Sequence, residues 1–190
     1  MALGLTPRVA ALGLAWPPDE HLRAGGDVAR IIEEITVRTA GEMRALGRGL
    51  AGRLRAGDLV VLTGPLGAGK TTLAQGIGDG LGVRGPVTSP TFVIARVHPP
   101  LGGGPALVHV DAYRLGEAAE VDDLDLDADL DRAVTVVEWG EGLVERLTED
   151  RLEVTIGRPS GATEGSARTV RLSGTGARWA RCSRGDLTAR

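Results

Sequence analysis

One segment, Gly64-Pro65-Leu66-Gly67-Ala68-Gly69-Lys70-Thr71, constrains the fold of this chain more than any other. It matches the pattern G-x-x-x-x-G-K-[ST], in which glycine-rich backbone surrounds a phosphate and a helix begins at the lysine. The apolar run 58–63 before it predicts a buried strand, and a helix is expected to begin near Lys70. A chain of this composition would contain about 0.002 such matches by chance. The segment 64–71, called the P-loop below, therefore predicts an α/β fold with a phosphate site.

Lys70 is the only lysine among the 22 lysine and arginine residues of the chain. A compact ammonium fits a narrow phosphate cradle, whereas a planar guanidinium is too large for it. The motif leads us to expect that Lys70 contacts the β- and γ-phosphates and that the Thr71 hydroxyl binds Mg²⁺. Guanine-specific switches normally carry an N-K-x-D motif, which needs a second lysine, and so the composition favours ATP over GTP.

The remaining periodicity predicts strands that alternate with helices. A first strand at Ile31–Val37 is followed by a helix that has Thr39 as its N-cap and Gly57 as its stop. Further strands are predicted at Thr91–Val97, Ala106–Asp111, Ala133–Glu138, Leu152–Ile156 and Thr169–Leu172. The expected fold class is a P-loop NTPase with three layers and a central sheet that is mostly parallel, although the short late connections permit antiparallel strands.

The 190 residues, 42% of them hydrophobic, are enough for one core. We expect an N-terminal extension at 1–30, a P-loop domain at 31–175 and a basic C-terminal tail at 176–190, frayed rather than ligand-binding. The acidic run 117–131 fails the calcium-loop pattern at Ala128 and Val134. It is interpreted as a solvated helix, with a partner-docking surface as the alternative.

Composition also excludes several classes of protein. The single cysteine, Cys182, forms no internal disulfide, which indicates a cytosolic protein rather than a disulfide-stabilised secreted one. No apolar run is long enough to span a membrane, and the first residues lack the order of a signal peptide. The net charge of −3 argues against a broad basic face for nucleic acid.

Two acidic residues lie at the ends of predicted buried strands, Asp111 and Glu138. A nucleotide hydrolase needs a carboxylate near Mg²⁺, typically at such a position, and both therefore qualify. The residues leave open which of them serves the metal or the attacking water. His109, on the same strand as Asp111, is interpreted as sheet packing or as a hydrogen-bonded neighbour.

Four motifs together carry a resemblance to a known family. The P-loop is followed by Thr88-Ser89-Pro90-Thr91-Phe92, then His109-Val110-Asp111-Ala112-Tyr113-Arg114-Leu115, then Val137-Glu138-Trp139. In this order and spacing they resemble the bacterial TsaE (YjeE) family, small ATPases required for making threonylcarbamoyladenosine in tRNA. The resemblance covers about residues 35–173. One departure is Pro65, where the family has an acidic residue.

The resemblance implies a set of site residues. Lys70, Asp111 and Glu138 would be catalytic, and Thr71, Glu138 and Asp111 would serve the metal. Asp111 would be the acid of a second switch, and the segment around Ser89 the first. The nucleotide would contact Leu66, Gly67, Ala68, Gly69, Lys70, Thr71, Thr72, Thr91 and Trp139, with Thr39, Ala40 and Arg168 as weaker matches.

The resemblance also implies partners, namely the TsaD and TsaB proteins, with tRNA reached only through them. We expect an Mg-ATP switch whose hydrolysis changes its affinity for these proteins. Two alternatives stay open from the residues. One is a small-molecule kinase on the same scaffold, although the loop 97–105 carries no arginine for a lid. The other is a subunit that binds ATP for assembly without hydrolysing it.

Overall fold

The structure, a computed structural model, describes residues 29–89, 95–112, 131–140, 142, 148–158, 167–182 and 186–187. Within these ranges the chain forms β1 (Arg30–Val37), α1 (Ala40–Ala51), β2 (Leu59–Thr63), α2 (Lys70–Leu81), β3 (Ala95–His98), β4 (Ala106–Asp111), β5 (Ala133–Glu138), β6 (Arg151–Gly157) and β7 (Arg168–Thr175). The expected extension before residue 29, most of the acidic run and residues 91–94 of a predicted strand lie outside them. In the described part of the chain, no helix is long and apolar enough to cross a membrane.

The strands form one mixed sheet in the order β1-β7-β6-β2-β5-β4-β3. The central strands β6, β2, β5 and β4 run parallel to one another. The outer strands β1, β7 and β3 pair with their neighbours in the antiparallel direction. The predicted α/β fold is confirmed: the sheet is parallel at its centre, as expected, and the antiparallel strands that were left open as a possibility make it mixed overall.

Strand β2 lies at the centre because both of its faces are apolar. Val60 and Leu62 belong to the larger core cluster, together with residues of both helices. Leu59 and Val61 face the other way, into a smaller cluster with residues of β4 and β5. Both described helices therefore cover the same face of the sheet, and a helical layer on the opposite face stays a prediction.

Helix α1 begins as predicted but ends earlier. The Thr39 hydroxyl accepts a hydrogen bond from the Glu42 amide at 3.0 Å and so caps the first turn. The last helical residue is Ala51, and Gly52 follows as the C-cap, so the predicted stop at Gly57 is wrong. The spacing of apolar residues predicted a longer helix because Leu54, which lies beyond the helix end, is buried in the same core.

The segment predicted as a frayed basic tail packs against the domain. Trp179 is only 1% exposed and belongs to the main core, as does Leu187. The Arg178 guanidinium pairs with the buried carboxylate of Asp58 at 3.0 Å. The expectation of a frayed end is therefore wrong for residues 176–182. The buried Trp179 indole and the ion pair between Arg178 and Asp58 hold this segment against the domain, although its composition is basic.

The two helices approach closely through glycines. A Cβ added to Gly47 in α1 would lie 2.5 Å from the Leu73 carbonyl oxygen and 2.8 Å from the Gly76 backbone of α2. Backbone atoms of a packed helix cannot move aside cheaply, and so only a residue without a side chain permits this distance. The contact holds α1 against the helix that begins at the P-loop.

We therefore expect Gly47→Ala to lower the free energy of unfolding by about 1–3 kcal/mol through overpacking. The matched control is Gly49→Ala in the same helix, where an added Cβ would meet nothing within 4 Å. That control should be more stable than the wild type by roughly 0.5–1 kcal/mol, because alanine is the better helix former. Urea unfolding measures both variants, and equal stability of the two would contradict the close packing.

Candidate functional site

The P-loop connects the buried end of β2 to the first turn of α2. Its backbone reverses through Gly64 and Gly69, whose φ values of +147° and +114° lie where side chains are strained. A Cβ on Gly64 would also collide with the Ile156 carbonyl oxygen of β6, and one on Gly69 would press on Met43 of α1. The glycines of the motif are therefore required by the packing of the loop as well as by access for a ligand.

Pro65 does not disturb the closed shape of this loop. Its carbonyl oxygen accepts a hydrogen bond from the Ala68 amide at 3.1 Å, and it also accepts one from Lys70. Proline removes an amide donor, but the contacts seen here use only its acceptor. The next residue, Leu66, is 86% exposed at the tip of the loop, so any contribution to a phosphate comes from its backbone.

Lys70 is almost fully buried, at 5% exposure. Its Nζ donates to the Gly64 carbonyl at 2.7 Å and to the Pro65 carbonyl at 3.1 Å, and it lies 3.6 Å from the centroid of the Trp139 ring. Burial lowers the pKa of the ammonium, while the charges of Glu138 and Asp111 oppose that shift. The site thus holds a cation that has lost much of its hydration, and a bound anion would stabilise it.

The register of the parallel strands brings the predicted acids to the same edge of the sheet. Asp111 ends β4 and pairs with Glu138, which ends β5, and Glu138 in turn pairs with Leu62 of β2. One carboxylate oxygen of Glu138 accepts from the Thr71 hydroxyl at 3.0 Å. Asp111 instead accepts from the Ser89 hydroxyl at 3.4 Å. Glu138 is therefore the acid in direct contact with the P-loop threonine.

The second oxygen of Glu138 contacts His109, whose Nε2 lies 2.9 Å away. His109 is fully buried within β4. The sequence pointed to a packing residue or a hydrogen-bonded neighbour, and the structure shows the hydrogen bond. Its partner could not be identified from sequence, because the two residues lie on different strands.

Trp139 adopts a backbone conformation that tryptophan rarely adopts. Its φ is +62°, the only positive value at a described residue other than glycine. The strand β5 ends here, and the Trp139 amide donates to the Leu62 carbonyl at 3.1 Å. Such strain persists where the surrounding structure imposes it, and it clusters at functional sites. The strained turn places the indole ring beside Lys70.

Two arginines lie close to the P-loop, one in β7 and one just after β6. Arg168 at the start of β7 donates through Nε to the Ala68 carbonyl at 2.9 Å. Arg158, just after β6, has a guanidinium nitrogen 3.7 Å from where a Cβ on Gly67 would lie. The sequence pointed to Arg168 but not to Arg158, although the residue follows directly after a strand that pairs with β2.

The other predicted contacts are less central in the structure. Thr39 and Ala40 lie in the first turn of α1, where the Thr39 side chain caps the helix. Met43, one turn later, is the residue that packs against Gly69. Thr72 follows Thr71 in α2 and is partly exposed. Thr91 lies outside the described residues, and its role stays a prediction.

The oxygen atoms at this site suit a magnesium ion. Mg²⁺ in nucleotide sites is typically held by one or two protein oxygens together with substrate phosphates. A threonine hydroxyl and a carboxylate oxygen, 3.0 Å apart at Thr71 and Glu138, provide that kind of ligand. The described residues contain no group of three or more His, Cys, Asp or Glu side chains that would hold a metal unaided.

Comparison with known proteins identifies similar chains. A family model described as threonylcarbamoyl adenosine biosynthesis protein TsaE matches residues 37–168. A Streptomyces coelicolor protein named tRNA threonylcarbamoyladenosine biosynthesis protein TsaE is 67% identical over 139 residues, which are 73% of this chain and 94% of that protein. A Bacillus subtilis protein of the same name is 38% identical over 118 residues, 62% of this chain and 72% of that protein.

A solved structure shares the fold. The crystal structure of Bacillus subtilis YdiB aligns with a TM-score of 0.61 and 28% sequence identity. The alignment covers 82% of this chain and 92% of that chain. The fold described above therefore has a solved counterpart over most of this chain.

The strained turn at Trp139 allows a direct test with two variants. Trp139→Gly and Trp139→Ala both remove the ring, but only glycine adopts a positive φ without strain. We expect the glycine variant to have the higher free energy of unfolding, by about 1 kcal/mol. Urea unfolding of the pair measures the difference, and an alanine variant at least as stable as the glycine variant would show that the turn is unstrained.

Proposed function

Since the chain belongs to the TsaE family, as its motifs predicted, we propose that it is a magnesium-dependent ATPase that acts as a switch in threonylcarbamoyladenosine biosynthesis on tRNA. One observation carries the proposal: the Thr71 hydroxyl and the Glu138 carboxylate meet at 3.0 Å beside the buried Lys70. This contact joins the P-loop to the acidic end of β5. The relatives named above support the pathway.

The P-loop is proposed to bind the phosphates of ATP. Backbone amides of Gly67 to Thr72 and the positive end of α2 would surround them, with Thr72 and Trp139 beside the nucleotide. Lys70 now donates to two loop carbonyls, and it would turn its ammonium to the β- and γ-phosphates. Arg168 would keep the loop in shape through its bond to Ala68, and Arg158 adds a second cation at Gly67.

Thr71 and Glu138 are the residues proposed to hold Mg²⁺. Asp111 lies beside Glu138 at the same edge of the sheet. When bound, the metal neutralises charge on the β- and γ-phosphate oxygens. Glu138 is only 3% exposed, so its carboxylate lies in a site from which bulk water is largely excluded. We assign to Glu138 the orientation of the attacking water, and to Lys70 the stabilisation of charge on the transferred phosphoryl group.

The switch is proposed to lie in the two segments around Ser89 and Asp111. The Ser89 hydroxyl donates to the Asp111 carboxylate at 3.4 Å, and through this contact a change at one segment would be passed to the other. Thr91 in the first segment is assigned to the nucleotide. By family, the proteins that respond are TsaD and TsaB, in the cytoplasm. The net charge of −3 supports contact with tRNA through these partners rather than directly.

Two substitutions separate binding from hydrolysis. Lys70→Ala removes a charge-assisted contact to phosphate and should weaken ATP binding by at least about tenfold. Glu138→Gln keeps the size of the side chain but removes its charge; it should retain the ATP affinity measured in EDTA, while phosphate release in Mg²⁺ falls by about 100-fold or more. Isothermal titration with ATP and an assay of released phosphate measure the two effects.

The matched control is Glu34→Gln, which removes a charge from the edge strand β1, where Glu34 pairs with Arg171 at 3.2 Å. It should leave both measurements unchanged. Full hydrolysis by Glu138→Gln would remove that residue from the catalytic set. Phosphorylation of a metabolite in place of phosphate release would indicate a kinase, and binding without any turnover, even with TsaD and TsaB present, would indicate an assembly subunit.

A further inference from the structure

Among the described residues, His109 is the buried ionisable side chain at the site to which the proposed mechanism gives no task. It lies in β4 with 0% exposure, two residues before Asp111. Its backbone pairs with Val136, and Glu138 lies two residues further along β5 on the same face. The Nε2 atom therefore reaches diagonally across the strands to Oε1 of Glu138, at 2.9 Å.

The direction of this hydrogen bond follows from its partner. Thr71 donates to Oε2 of Glu138, and an ionised carboxylate only accepts, so the proton of the second bond belongs to His109 Nε2. The other ring nitrogen, Nδ1, has no hydrogen-bond partner among the residues that the structure describes. His109 thus donates to Glu138, so that each oxygen of this carboxylate accepts a hydrogen bond.

These two bonds fix the carboxylate in one orientation. A glutamate side chain has three rotatable bonds, and a buried carboxylate oxygen without a donor is costly. If His109 lost its donor, Oε1 would be left unpaired, and the carboxylate would be free to rotate about these bonds. Oε2 would then no longer be held towards Thr71.

We propose that His109 is a positioning residue that holds Glu138 Oε2 towards Thr71 and so sets the geometry of the magnesium ligands. Its complete burial keeps it from touching the nucleotide, so it acts only through Glu138. This inference rests on the proposed function. It predicts that His109 matters for the part of ATP affinity that depends on Mg²⁺ and for turnover, but not for ATP affinity in the absence of the metal.

The test uses three variants of the full chain. His109→Leu fills the space without a donor, and His109→Gln places an amide N–H near the position of Nε2. His109→Asn carries an amide that is too short to place its N–H at Glu138, so it is the second variant without a donor at that position if the leucine variant does not fold. Isothermal titration with ATP is performed in EDTA and in Mg²⁺, and thermal unfolding confirms that each variant is folded.

For His109→Leu and His109→Asn, we expect the gain in ATP affinity on adding Mg²⁺ to fall by about 10- to 100-fold, as for other partners of metal ligands. Affinity in EDTA should stay at the wild-type value, and His109→Gln should recover most of the gain. In a Glu138→Gln background, His109→Leu should have no further effect, because the group that it positions is already lost.

The inference would be overturned if His109→Leu or His109→Asn kept the wild-type gain in ATP affinity on adding Mg²⁺. It would also be overturned if His109→Gln lost as much of that gain as His109→Leu does. A reduced affinity in EDTA would overturn it as well, because it would indicate a general packing defect. If the wild-type chain itself binds ATP no better in Mg²⁺ than in EDTA, then the proposed function fails, and the two failures are thereby distinguished.

Discussion

The site depends on one constraint, the parallel register of β2, β5 and β4. Leu62 of β2 pairs with Glu138 of β5, which in turn pairs with Asp111 of β4. The P-loop and both acids therefore emerge at the same edge of the sheet. A shift by one residue would turn Glu138 to the other face and away from Thr71. The apolar residues of β2, which are buried on both faces, keep this strand at the centre of the sheet beside β5. Core packing thus helps to position the groups of the site.

The buried charges of the site balance one another. Glu138 is held by donors from His109 and Thr71, and its charge, with that of Asp111, opposes the loss of hydration at Lys70. Lys70 in turn binds loop carbonyls and faces the Trp139 ring. A buried carboxylate or ammonium without such partners would be expensive. The arrangement therefore keeps a cation and an anion ready within the fold, which is the requirement for binding phosphate and a divalent metal together.

Local patterns in the sequence predicted the P-loop, the strand ends that carry Asp111 and Glu138, and the N-cap Thr39. Each of these is set by a few neighbouring residues and by burial, so the sequence contains the signal. The helix end at Ala51 and the burial of Trp179 were missed, since both are decided by packing against distant residues. The bond from His109 to Glu138 and the position of Arg158 near Gly67 were not predicted either. Both depend on how the strands pair, which a single sequence does not reveal.

The most direct test of the central claim, that this edge of the sheet recognises the β- and γ-phosphates, is a calorimetric titration of the wild-type chain with ATP, ADP and AMP in Mg²⁺. The account predicts that ATP and ADP bind and that AMP binds at least about 100-fold more weakly, because AMP lacks the phosphates that Lys70 and the loop amides contact. Equal affinity for AMP and ATP, or no binding of either, would contradict it.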